Sequence, residues 1–176
     1  MKLMRRWLVG LVALFALAAF ASRASADEEM WRNFRARVMF SDVALAPESN
    51  FQSPATMASA LRRIQRSTFD QTAGFWRMHI MAFLDRPAAT STLVMRASDV
   101  TDPRAPRPTR VFEVPVERGA KELRLDDFVV TESMGFARGA SYEIAIEAAP
   151  EEGSAAGETK KAGKADVYAK GVITLR

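Results

Sequence analysis

The stretch FWRMHIMAFLD, residues 75–85, decides how the rest of the chain is read. Taken with the two-residue period of a β-strand, it puts Trp76, Met78, Ile80, Ala82 and Leu84 on one face. Phe75, Arg77, His79, Met81 and Phe83 fall on the other. The first set is wholly apolar and predicts a central strand with that face on the core. The second set is mostly apolar too, so part of the outer face needs a cover.

That cover is encoded just upstream. Ser53-Pro54 reads as an N-cap followed by proline at the first helical position. Met57, Ala60, Leu61 and Ile64 then recur at i, i+3, i+4 and i+7, while Arg62, Arg63 and Arg66 point elsewhere. An amphipathic helix over about residues 54–66 follows, its stripe aimed at Phe75, Met81 and Phe83. Further upstream, residues 34–42 alternate, with Phe34, Ala36, Val38 and Phe40 against Arg35, Arg37 and Met39. This predicts the first strand.

Downstream, Leu93, Met95 and Ala97 alternate through residues 92–98. Residues 99–109 hold Pro103, Pro106 and Pro108 and are expected to stay outside a ladder. Phe112, Val114 and Val116 mark a strand over 111–117, with Pro115 on the opposite parity placing it at an edge. Arg118-Gly119-Ala120 reads as a hairpin turn. Residues 122–130 then pair back, with Leu123 and Leu125 inward and Asp126-Asp127 at a bulge. A strand through Tyr142, Ile144 and Ile146 and a last one over 166–175 bring the count to seven. Between them PEEGSAAGETKKAGKA, residues 150–165, offers nothing to bury and is expected to be a disordered loop.

The ends bound location and partners. Lys2, Arg5 and Arg6 precede an uncharged, mostly apolar run over residues 7–20, and Ala24-Ser25-Ala26 has the small-x-small form of a cleavage site. Residues 1–26 are therefore expected to be a secretory signal peptide, with a mature N-terminus at Asp27. The run of 14 residues is shorter than the roughly 20 that span a bilayer, so the processed chain is not expected to span the membrane. Retention as an anchor is the alternative, and Arg5-Arg6 leaves Sec and twin-arginine export both open. The signal holds four of the 25 basic residues and none of the 21 acidic ones, so the remainder is balanced. That excludes a basic footprint for nucleic acid. With no cysteine there are no disulfides. Residues 27–176 are read as a single domain stabilised by its core.

Two resemblances bear on fold and function. Residues 136–146, FARGASYEIAI, place a glycine turn three residues before Tyr142, followed by strict alternation. This resembles the start of the sixth strand in fibronectin type III and related immunoglobulin-like domains, where the tyrosine hydroxyl bonds back to the preceding corner. The resemblance implies a mainly β fold, a seven-stranded immunoglobulin-like sandwich with one inserted amphipathic helix. No Cys-Trp-Cys pattern accompanies it. Separately, Met57, His79 and Met81 match the last three elements of H-x10-M-x21-H-x-M, and HIMAFLDRP is similar to a strand of the cupredoxin-like periplasmic copper chaperones. The first histidine of that pattern falls on Ala46. The resemblance implies a soft Cu(I) site at Met57, His79 and Met81. Packing explains the same residues, with Met57 and Met81 filling the helix–strand interface and His79 at its polar margin.

Enzymatic chemistry finds little support. One histidine and no cysteine exclude a Cys-His dyad, and a Ser-His-Asp arrangement would need His79 in mid-strand. The acid pairs Asp99/Asp102, Asp126-Asp127 and Glu151-Glu152 sit where solvation explains them. Asp99 and Asp102 have the oxygen donors that suit calcium, but no loop has the ligand density. Trp31, Phe51 and Trp76 are candidates for an exposed aromatic platform, Trp76 being assigned to the core by parity. The sequence thus predicts an exported, periplasmic or secreted, non-enzymatic binding or scaffold module without a cofactor. Its expected partner is an envelope protein or a polysaccharide, and a periplasmic copper-binding protein is the alternative.

Overall fold

The computed structural model describes residues 31–44, 53–149 and 166–176. The expected signal segment 1–26, Phe51, Glu151-Glu152 and the low-complexity stretch 150–165 lie outside the described residues. The fold is mainly β. In chain order it runs β1 (Arg37–Ser41), α1 (Pro54–Ile64), β2 (Thr68–Phe69), β3 (Phe75–Phe83), β4 (Thr92–Asp99), β5 (Arg107–Pro115) and β6 (Glu122–Thr131). A 3-10 turn (Glu132–Met134), β7 (Ser141–Ala148) and β8 (Val167–Leu175) complete it. Among the described residues no helix is long and apolar enough to cross a membrane.

The strands form one curled mixed sheet, open like a half-barrel, in the order β5-β4-β7-β8-β1-β3-β6, with β2 beside β8. The hydrogen-bonded path is continuous rather than split into two separate sheets. The continuity is narrow, because β8 and β1 share a single parallel register pair, Arg37 with Lys170. At that joint Gly171 lets the two backbones close: a Cβ there would sit 2.4 Å from the Val38 carbonyl oxygen. A glycine inside a strand marks such an approach. The curl also brings together the outermost strands of the path. Phe112 of β5 meets Phe128 of β6 edge to face, with ring centroids 5.1 Å apart.

β3 behaves as its alternation predicts. Trp76, Met78, Ile80 and Ala82 are buried in the main core, with Leu84 just beyond the strand. Trp76 is fully buried and its indole Nε1–H donates to the Arg176 carbonyl at 2.8 Å. It is therefore no part of an exposed aromatic platform. Facing β3 across the core stand Leu93, Met95, Tyr142, Ile144, Ile146 and Ile173.

Three other expectations are corrected. The first strand starts at Arg37, not Phe34, because residues 31–34 are helical and Ala36 takes a left-handed conformation (φ 62°). Phe34 is thereby turned out of the main core onto the outer face, where it stacks on Phe83 at 5.1 Å. β5 begins at Arg107 and includes Pro108, which lies opposite Ser98 where the ladder shifts register. An edge strand with a register shift tolerates a residue that has no N–H to donate. Finally, residues 118–120 are a crossing, not a hairpin. β5 pairs with β4 and β6 with β3. The crossing is tied to the end of β3, the Gly119 amide donating to Ala88 O at 2.8 Å and the Leu84 amide to Lys121 O at 2.9 Å.

Candidate functional site

The outer face of β3 is where chemistry-bearing side chains gather. The antiparallel register with β1 sets Met39 directly opposite Met81 and Ser41 opposite His79. Side chains so paired have Cβ atoms roughly 5 Å apart. α1 lies over them. Its start is fixed by a reciprocal cap: Ser53 Oγ accepts from the Thr56 amide at 3.2 Å and Thr56 Oγ1 from the Ser53 amide at 3.0 Å. Its end is stitched to β1 by the Arg66 amide donating to Phe40 O at 2.8 Å. Between these anchors Met57, Ala58 and Leu61 are buried against Met39, Met81, Phe83 and Phe34. Of the expected contacts of the helix, Met81 and Phe83 are made. Phe75 is not in this cluster; its ring takes the Arg77 guanidinium at 5.6 Å.

His79 stands at the margin of this apolar layer, its side chain 15% exposed. Opposite it β6 carries its bulge. Met78 pairs with Phe128 and Ile80 with Leu125, so Asp126 and Asp127 together face His79. Asp127 is left-handed (φ 55°), an uncommon conformation for a residue other than glycine. The bulge aims two groups at the same imidazole nitrogen. Asp126 Oδ1 lies 3.2 Å from His79 Nδ1, and the Asp127 amide nitrogen lies 3.4 Å from it. A carboxylate only accepts and a backbone amide only donates, so the Asp126 contact needs a protonated Nδ1 while the Asp127 contact needs Nδ1 as acceptor, and the two belong to different tautomers of His79.

Beside this pair opens a cleft between α1 and β1/β3, lined by Met39, Val43, Leu61, His79, Met81 and Asp126 among others. Its walls are mostly apolar, with Ser41, Gln65, His79, Arg124 and Asp126 as the polar groups. His79 and Met81 line it together. Met57 does not; it touches the layer from the helix side. Met39 is the residue that sequence reasoning missed. Its parity opposite Val38 and Phe40 placed it outward, but no sequence signal gave the register that sets it against Met81.

The remaining candidates are accounted for by local structure. Asp99 Oδ1 accepts from the Thr101 amide at 2.8 Å and Asp102 Oδ1 from the Arg104 amide at 3.0 Å. Hydrogen bonds from Thr101, side chain and backbone, hold the Asp99 carboxyl below its ordinary range. Among the described residues no group of three or more His, Cys, Asp or Glu is placed to hold a metal ion. Trp31 is half-buried, its ring covered by Arg35 and Lys121, each 4.9 Å from the centroid. Comparison of the chain with protein-family models, with characterised proteins and with solved structures finds no match.

Proposed function

We propose that this chain is an exported, non-enzymatic binding module of the cell envelope, built as an immunoglobulin-like sandwich with one inserted helix. The fold reading is supported by how the strands divide at the β1–β8 joint, β1-β3-β6 on one side and β5-β4-β7-β8 on the other. This follows the A-B-E against C′-C-F-G partition of that architecture. It is supported too by the corner at the start of β7, where the Tyr142 hydroxyl accepts from the Ala137 amide at 2.7 Å. Fold alone says little about function.

The observation that carries the binding reading is the cleft beside α1. Apolar walls with a few convergent polar groups are the usual form of a ligand seat. Val43, 49% exposed at its rim, gives a handle that leaves the core alone. Cross-linked capture from the native envelope, with the wild-type chain and with Val43→Arg, tests it. A protein or glycan held by the wild type and lost in the variant is the expected result. An identical set of captured molecules from both would remove the cleft from the reading.

A second reading, a periplasmic copper-binding protein, has its own observation: His79 and Met81 share the cleft, and Met57 packs on Met81 in the layer behind it. Anaerobic titration against a chromogenic Cu(I) chelator tests this independently. Binding at one ion per chain is expected under that reading, and none would end it.

A further inference from the structure

We propose a second ligand seat, an oxyanion pocket where β1 and β8 diverge. It takes a phosphate monoester, or phosphate itself, on Arg37, Arg66, Lys170, the Ser67 hydroxyl and the free amide of Val172. It does not depend on the cleft beside His79.

The split in the sheet makes the pocket. β8 pairs with β1 at Lys170 and with β2 from Thr174 onward, and with neither in between. The Lys170 amide donates to Ala36 O at 3.2 Å and the Thr174 amide to Ser67 O at 2.7 Å. Strand alternation turns the Val172 amide toward the same edge, yet neither strand reaches it. Among the described residues that donor has no acceptor, and Val172 is 52% exposed. The gap is a cavity of about 210 Å³, with Gln65, Arg66 and Ser67 at the end of α1 forming its far wall.

Charge argues for the ligand. Arg37, Arg66 and Lys170 line the cavity and no carboxylate does. Asp42 reaches Arg66 at 3.5 Å and Glu143 reaches Lys170 at 2.7 Å, both from outside it. Arg37 has no ion pair among the described residues. Arg62 has none either, and its guanidinium lies over the ring of Phe34, a wall residue, at 5.6 Å. The site thus gathers four cations against two carboxylates. Two guanidinium forks, an ammonium, a hydroxyl and an amide offer more donors than the two oxygens of a carboxylate can take. The three terminal oxygens of a phosphate monoester match them better, and arginine is the side chain that pairs with phosphate by two parallel bonds.

The test titrates the full chain, labelled with nitrogen-15, with inorganic phosphate. Low ionic strength is used because exposed charges are screened by salt, and acetate is the control anion. Saturable movement of the Val172 and Ser67 amides is expected, with the His79 amide unmoved. Arg37→Ala changes an exposed side chain and should weaken phosphate about tenfold, as expected for the loss of one charge-assisted hydrogen bond. Arg37→Lys, which keeps the charge without the fork, should recover part of that loss. Arg110→Ala, at an exposed arginine of β5, should leave the affinity unchanged. A short-chain phosphatidic acid below its micelle concentration separates the sources. Tighter binding than inorganic phosphate assigns the pocket to a lipid headgroup, and weaker binding assigns it to a soluble phosphate. Amide movement that never saturates, acetate bound as well as phosphate, or equal losses in Arg37→Ala and Arg110→Ala overturns the proposal.

Discussion

On β1 and β3 the outer face lies under α1, with Met39, Met57, Leu61, Met81 and Phe83 all buried. Among the described residues no helix covers the outer face of β4, β7 and β8, which carries ion pairs instead. Arg96 Nε lies 3.0 Å from Glu147 Oε2, and Lys170 Nζ lies 2.7 Å from Glu143 Oε1. Between those pairs Ala145, the cross-strand partner of both Arg96 and Lys170, is buried as well. Long charged side chains can cover a small apolar residue with their own stems. They cannot cover methionine and phenylalanine, which need a second layer. The contrast teaches where a ligand seat can arise: at the rim of the added layer, where helix and sheet part company beside His79.

Removing the grip of the added layer should have the largest effect. Leu61 is buried at the centre of the helix stripe. Leu61→Ala should cost about 3 kcal/mol in a denaturant melt, the ordinary range for a buried leucine being about 2–5 kcal/mol. A change below about 0.5 kcal/mol, within what surface substitutions give, would mean that α1 is an ornament on a sheet already sufficient without it. The comparison between the two faces would then collapse.

Next comes the joint that makes the two halves one sheet. Gly171→Ala puts a methyl against backbone, 2.4 Å from Val38 O, where no flexible side chain can give way. The expected loss is about 1–3 kcal/mol, the usual cost of overpacking. Amide exchange should show it as lost protection at Lys170, whose amide donates to Ala36 O at 3.2 Å. Unchanged protection there would show that β1 and β8 are held together by something other than this close approach.

The contrast was only partly legible in the sequence. Alternation in residues 75–85 located β3 and both its faces, and the Ser53-Pro54 cap with its stripe located α1, because each signal is local and periodic. The Asp126-Asp127 bulge was readable for the same reason: two acids interrupt an apolar alternation. Pairing was not readable. Gly119 looked like a hairpin turn, yet β6 crosses to β3, since turn composition fixes a reversal and not which strand receives it. β2, with two residues, is too short for any period. Met39 joins the candidate site only through register, a property of two strands rather than one. Phe34 shows the limit most sharply: its parity with Val38 and Phe40 is correct, but a left-handed Ala36 between them cancels it.

A smaller effect is expected at the corner of the uncovered half. Burial raises the Tyr142 phenol above its ordinary value, against the lowering effect of the Ala137 amide bond. A raised folded pKa favours the protonated form in the fold. That contribution is fully present below about pH 10 and is lost as pH rises through the folded value. Tyr142→Phe should therefore cost about 0.5–1.5 kcal/mol at neutral pH and flatten the alkaline fall in stability. An alkaline limb identical to wild type would show that the hydroxyl is not buried as described.

The smallest effect separates the two ion pairs from each other, and so asks whether the uncovered face is held by charge at all. Lys170 and Glu143 side chains are 49% and 34% exposed, which leaves their attraction open to solvent screening. A double-mutant cycle through Lys170→Ala and Glu143→Ala should give a coupling of about 0.2–1 kcal/mol, falling toward zero in about 1 M salt. Glu147 differs, with a side chain only 8% exposed. Its coupling to Arg96 should survive the same salt, because a carboxylate that has left water depends on its partner and not on the ionic atmosphere. If both couplings vanish together in salt, the uncovered face is an ordinary solvated surface. If only the Lys170 coupling vanishes, Arg96 and Glu147 do for β4 and β7 a small part of what α1 does for β1 and β3.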